Sequence, residues 1–343
     1  MSAVLLNLST PYVMRKTLTS FLILACFLSV TLTGCGESDE GKKTIRLAHA
    51  LSTSHPVHLG MVRMAELVDE KSDGQLTISI FPSQQLGSER EALELLQIGS
   101  IGMTKVSSAA LENFVPELRV YSLPYLFKDE QHILNVLNGE IGKELLLAGE
   151  EYWLRGLTYY DAGQRSFYTK DRPIETPEDL EGLKIRVMES QMSVNMVNQL
   201  GGSPTPISWG ELYTALQQGV VDGAENNPPS FYSSRHYEVA KYYSLDEHTM
   251  LPDLLIMSTH QWNNLSEQEQ EWVQQSADSS AVYQREIWAK AEEEALEIAR
   301  EAGVEINYPD KEPFIEQTRS VYEQYKESDP EFYQLVQRIL DAQ

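Results

Sequence analysis

Two arginines are the residues best suited to chemistry: Arg165, two positions after Gly163, and Arg186, in the alternating run Leu183-Lys184-Ile185-Arg186-Val187-Met188. A guanidinium is a permanent cation whose planar fork of donors matches a carboxylate. Two of them held side by side would repel unless an anion lay between them. Arg186 therefore either meets a ligand acid or pairs with an acidic neighbour of its own chain, as strand arginines at a surface ordinarily do. Asn226 is a third candidate. It lies in Val221-Asp222-Gly223-Ala224-Glu225-Asn226-Asn227-Pro228-Pro229, where glycine and proline predict a loop. Its amide can donate and accept toward a ligand or serve its own backbone.

Signatures of catalysis are missing. There is no Gly-rich phosphate loop, no Gly-x-Ser-x-Gly elbow and no His-Glu-x-x-His. His55 and His58 stand three apart without a third ligand in a metal-like pattern, so neither a metal nor a cofactor is expected. Carboxylates are so numerous that sequence alone singles out no acid and base pair. Cys26 and Cys35 are the only cysteines, which leaves the chain beyond them without disulfide or thiolate chemistry. A net charge of −24 and a pI near 4.6 argue against a nucleic-acid partner and against a polybasic membrane patch. In so acidic a chain, an anionic ligand has to be met by a few local cations.

Residues 1–34 read as a targeting segment: Arg15 and Lys16 precede the apolar residues 18–32, with either Met1 or Met14 as the start. The apolar run is short for a membrane span. Leu32-Thr33-Gly34-Cys35 resembles the lipobox of bacterial lipoproteins, which implies lipidation of Cys35, residues 35–43 as a tether, and an extracytoplasmic protein on the outer face of the cell membrane or in the periplasm.

The elements that must position the candidates follow from periodicity. Residues 44–50 and 76–80 alternate as strands around a helix that starts at His55-Pro56 and stops at Gly74. Ser88 and Glu91 form a capping box for a helix burying Leu93 and Leu96, and residues 101–106 give a third strand. This order predicts a parallel sheet with helical crossovers, whose ligands sit beyond the strand carboxyl ends. A helix over 132–148 and a strand over 153–160 follow. The pattern then restarts with a strand at 167–170. Next come a turn opened by Thr176-Pro177-Glu178-Asp179, the Arg186 strand, a helix over 192–200, and a second capping box at Ser208-Trp209-Gly210-Glu211. Two domains are expected, 44–162 with about 251–285 and 163–250 with about 286–343. Connections near 160–165 and 247–253 would suit a hinge. From Ser266 to Ala302 one helical pattern runs uninterrupted for roughly 55 Å, long enough to touch both domains unless it breaks near 278–280. A strand over 304–308 and two amphipathic helices close the chain.

Four stretches in order are similar to signatures of the DctP-type solute-binding proteins of TRAP transporters: Leu86-Gly87-Ser88-Glu89-Arg90, Gly182-Leu183-Lys184-Ile185-Arg186-Val187, Trp209-Gly210-Glu211-Leu212-Tyr213-Thr214-Ala215-Leu216-Gln217 and Val221-Asp222-Gly223-Ala224-Glu225-Asn226. The resemblance implies an α/β, two-domain periplasmic-binding-protein-like clamp of type II-like form with a long helix spanning both domains. It also implies capture of an organic acid, delivery to TRAP permease membrane subunits, and no enzymatic activity. By the same resemblance Arg186 grips the ligand carboxylate, Arg165 assists, Asn226 contacts the ligand and Trp209 packs on it. Ser54-His55-Pro56, the Glu89-Arg90 pair and Glu225-Asn226-Asn227-Pro228-Pro229-Ser230-Phe231-Tyr232 resemble members that take uronates and other hexose-derived sugar acids. His55, Glu89, Glu225 and Asn226 could serve a polyol, whereas a second carboxylate would prefer further cations over Glu89. Each has a plainer alternative: Glu89 serving its own helix, His55 entering one, Trp209 filling the core. The competing readings are a C4-dicarboxylate or keto-acid receptor and a secreted sugar-acid enzyme.

Overall fold

The structure, a computed structural model, describes residues 42–342, so the targeting segment and Cys35 lie outside the described residues. Strands β1 (Lys43–Ala48), β2 (Leu76–Phe81) and β3 (Met103–Ser107) are joined by helices α1 (Pro56–Ser72) and α2 (Glu89–Gln97). Helices α3 (Ser108–Leu111), α4 (Glu130–Asn138) and α5 (Glu140–Leu147) lead to β4 (Leu154–Tyr160). A second series follows: β5 (Arg165–Thr169), β6 (Lys184–Val187), α6 (Gln191–Gln199), β7 (Ser203–Pro206), α7 (Trp209–Gln218), β8 (Gly223–Asn226), α8 (Pro228–Ser233) and β9 (Tyr242–Thr249). The chain ends with β10 (Asp253–Ser258), α9 (Thr259–Trp262), α10 (Glu267–Glu301), β11 (Glu305–Asn307), α11 (Glu312–Ser328) and α12 (Pro330–Leu340).

These strands make two sheets, ordered β2-β1-β3-β10-β4 and β11-β9-β5-β8-β6-β7. β1 pairs in parallel with β2 and β3 as the crossover pattern predicts, but β10 runs antiparallel between β3 and β4, so the sheet is mixed rather than parallel. The reason lies in the connections. β4 leaves the first sheet at Tyr160, directly opposite Asp253 where β10 returns, and β5 enters the second sheet at Arg165, opposite Thr249 where β9 leaves it. Strands that leave and return at the same end of a sheet must run in opposite directions. Both connections therefore lie side by side between the sheets.

α1 sets Val57, Met61, Met64 and Val68, all fully buried, against Leu47 of β1. α10 runs unbroken for 35 residues, opened by a capping box between Ser266 and Glu269. Its Val273, Ala277, Ala281 and Trp288 belong to the core of the first sheet, and Ala299 to that of the second with Tyr168 and Leu212. One helix is thus a spine for both halves.

Several expectations need correction. The helix over 132–148 is two helices, separated at Gly139, where a Cβ would meet the Asn135 carbonyl oxygen at 2.7 Å. Ser208 does not complete a capping box, because its hydroxyl donates to the Glu211 carboxylate (2.6 Å) and leaves the helix amides uncapped by a side chain. Asn226 ends strand β8 rather than sitting in a loop, and Asn227 begins the turn by accepting from Ser230 N (2.8 Å) to cap α8. Past 286 the packing is shared: Phe332, Leu335, Val336 and Ile339 of α12 lie in one cluster with Leu118, Val136 and Leu145 of the first half, and Met192 of α6 and Val321 of α11 belong to it as well.

Candidate ligand site

Arg186 is delivered by β6. The pleat turns Ile185 and Val187, both fully buried, into an apolar cluster with Leu180 and Val197, and points Arg186 the other way. Only 2% of Arg186 is exposed, its Nε donates to the Ile207 carbonyl (2.8 Å), and its Nη1 has no hydrogen-bond partner in the protein. Its guanidinium carbon stands 5.9 Å from the ring centroid of half-buried Trp209, within cation–π reach. Burial, with the Arg165 charge in support and Glu225 in opposition, pulls the guanidinium below its ordinary range.

Arg165, the first residue of β5, is equally buried but fully engaged. Nε and Nη2 hold the two Glu225 carboxylate oxygens (2.5 and 2.8 Å), Nη2 also donates to the Glu225 carbonyl (2.9 Å), and Nη1 donates to Asn226 Oδ1 (2.7 Å). Behind this fork, His248 lies with Nε2 3.6 Å from Glu225 and Nδ1 2.8 Å from Asp246, which in turn accepts from Phe167 N (3.1 Å). Burial favours the neutral ring, yet Asp246 and Glu225 outweigh it and hold His248 up at about 9. Burial likewise opposes the Glu225 charge, and Arg165 with His248 holds it down at about 2. The anion that two neighbouring arginines require is therefore built into the chain, and it belongs to Arg165.

The third cation is Lys105 of β3, buried between Asp253 (3.0 Å) and Glu89 (3.2 Å). Arg186, Arg165, Asn226, Trp209, Glu89 and Lys105 all line one cavity. Asn226 Oδ1 is occupied by Arg165 and by Asn227 N (2.8 Å), so its amide N–H groups are what it can offer a ligand. Glu89 stands in the first turn of its own helix and, besides pairing with Lys105, accepts from Ser107 N (3.3 Å).

Three of the sequence candidates are elsewhere. His55 caps α1 through Nδ1 (Val57 N, 3.2 Å), reaches Ser230 Oγ through Nε2 (3.1 Å), and lies outside the cavity wall. Arg90 is exposed and pairs with Glu94 one turn along its helix (3.2 Å). Glu225 lies behind the wall as the partner of Arg165. Lys105 and Asp253, by contrast, were missed, although a lysine inside the strand Met103-Thr104-Lys105-Val106-Ser107 is itself a signal, since a buried lysine must be paired.

Of the cations lining this cavity, Lys105 has two acids, Arg165 has one, and Arg186 has no carboxylate within ion-pair distance. The arrangement can hold one carboxylate at Arg186. A second acid group at the other end would face Glu89 and Asp253.

The family model of DctP, described as bacterial extracellular solute-binding protein, family 7, matches residues 47–329. The chain belongs to this family. Among solved structures, a TRAP periplasmic solute-binding protein from a Bradyrhizobium species, in complex with α/β-D-galacturonate, is 40% identical with a TM-score of 0.85, covering 87% of this chain and 100% of that one. One from Roseobacter denitrificans with bound β-D-glucuronate is 38% identical with a TM-score of 0.85, covering 88% and 100%. A curated relative described as a solute-binding protein, from Chromohalobacter salexigens, is 35% identical over 94% of this chain and 95% of its own length. The clamp architecture and its long helix are thus those of the TRAP solute-binding proteins, whose members are extracytoplasmic binding proteins of transporters.

Proposed function

We propose that this DctP-family receptor captures a hexuronate, glucuronate or galacturonate, by its carboxylate on Arg186 and delivers it to the membrane subunits of a TRAP permease. The observation that carries the reading is the buried Arg186 Nη1 without a protein partner, in a cavity whose other cations are already balanced. A uronate needs one cation for its carboxylate and hydrogen-bonding groups for its hydroxyls. Asn226, Glu89, Ser230 and Gln84 all reach the cavity wall and supply donors and acceptors. Relatives solved with galacturonate and glucuronate support the same ligand class. The two connections near 160–165 and 247–253 are the proposed hinge, about which the first sheet and its helices would close on the second. Calorimetric titration with glucuronate, galacturonate and succinate is the test: both uronates bind, and succinate binds at least about 100-fold more weakly, a gap of about 2.7 kcal/mol. Succinate binding as tightly as either uronate would overturn the assignment.

We also infer that the mature receptor is lipid-anchored through Cys35, on the support of Arg15, Lys16, the apolar residues 18–32 and Leu32-Thr33-Gly34-Cys35. In cell fractionation the wild-type chain then follows the membrane and Cys35→Ser is released. Equal distribution of the two would refute the anchor.

A further inference from the structure

A second cavity, of about 450 Å³, adjoins the first at Ala162 and Leu251. Its walls come from α4, from both connections between the sheets and from one face of α10. A volume of this size is that of a small-molecule site. The proposed uronate capture makes no use of it.

Its charge is one-sided. Glu130, Asp161, Glu247, Glu292 and Glu293 face it against a single lining cation, Arg285, while Lys311 pairs with Glu247 from outside. Burial, then Asp161, Glu247 and Glu130, push Glu292 up to about 7, and burial raises Asp161 as well. A second observation is independent of charge. Trp288 is 3% exposed, lines the cavity, and its indole Nε1–H has no partner. That nitrogen and Glu292 Oε1 converge on Gly163, each 3.0 Å from where a Cβ there would lie. Tyr159, Tyr160 and Tyr308 add aromatic surface, and Leu134, Leu137 and Leu296 apolar surface. Among the described residues no group of three or more His, Cys, Asp or Glu could hold a metal ion.

We propose that this hinge cavity binds a small organic ammonium ion that carries a hydroxyl, its cationic end between Glu292, Asp161 and the aromatic walls, its oxygen accepting from Trp288 Nε1–H. A carboxylate cluster too dispersed for a metal is suited to a bulkier cation, aromatic faces attract such a cation, and the orphan indole donor demands an acceptor. The ligand would touch both connections and the spine helix at once.

The test is calorimetric titration of the full receptor with choline and with ethanolamine at low ionic strength, beside Glu292→Gln, Trp288→Phe and Arg186→Ala. At least one amine is expected to bind saturably. Glu292→Gln weakens that binding at least tenfold, Trp288→Phe weakens it severalfold while keeping the ring, and Arg186→Ala leaves it within about twofold. Retained glucuronate binding shows that the first two variants are folded, and if Glu292→Gln fails that check Trp288→Phe decides. Absence of saturable binding by either amine, binding unchanged in folded Glu292→Gln and Trp288→Phe, or its loss in Arg186→Ala would each overturn the proposal. The last outcome would place the amine in the acid cavity.

Discussion

Arg165 and Arg186 are both buried, both on strands of the second sheet and both in the wall of one cavity, yet they are in opposite states. Arg165 gives every nitrogen to Glu225 and Asn226, and His248 with Asp246 backs the pair. Arg186 has a backbone carbonyl, an aromatic face and an unpartnered Nη1. A buried charge is costly unless paired, so the first arrangement locks the sheet and the second keeps its pairing energy in reserve for a ligand.

Removing the counter-ion tests the first half of this contrast most severely. Glu225→Gln leaves Arg165 as an uncompensated buried charge and is expected to cost about 3–5 kcal/mol of folding stability, read from denaturant unfolding. A loss below about 1 kcal/mol would mean that the pair is not structural. The second half is tested by Arg186→Ala, expected to weaken glucuronate by about 2–5 kcal/mol while the melting temperature without ligand stays level or rises. Unchanged affinity with a lowered melting temperature would make Arg186 a structural arginine like its neighbour.

A gentler test uses pH. His248 titrates near 9 in the fold against 6.5 as its ordinary value, so its contribution is full below about pH 6.5 and is lost progressively as pH rises through about 9. Glu225, held at about 2 against 4.5, contributes above about pH 4.5 and loses that contribution as pH falls toward 2. Stability measured across pH should therefore form a plateau between about 4.5 and 6.5, and His248→Asn should flatten the alkaline limb. An identical limb in that variant would remove His248 from the network.

Much of the fold was legible because local periodicity expresses it. Leu47, Val57, Met61 and Leu93 announce the first β-α-β-α run, and Ile185 with Val187 announces the strand that carries Arg186. β7, Ser-Pro-Thr-Pro, and β8, Gly-Ala-Glu-Asn, carry little strand propensity; β7 is a strand because β6 offers it an edge, and β8 because it fits between β5 and β6. Helix α12 returns to the first half because its apolar face fits the cluster around Leu118, which no local pattern reports. The Arg90 candidate is a different case, because its cause is local. Arg90 and Glu94 are one turn apart, and that surface pair could have been read from spacing.

Local pattern alone places Arg186 on a strand facing away from its apolar neighbours, leaves few cations to meet an anion in an acidic chain, and carries the DctP-family order of motifs. Which arginine receives Glu225, where His55 spends its two ring nitrogens, and that Lys105 already carries two acids are set by packing between distant segments. The pairs Arg165–Glu225 and Lys105–Asp253 join residues 60 and 148 positions apart and exist only once each sheet has set its own strands side by side, whereas the His55–Ser230 contact, 175 positions apart, also needs the two halves together.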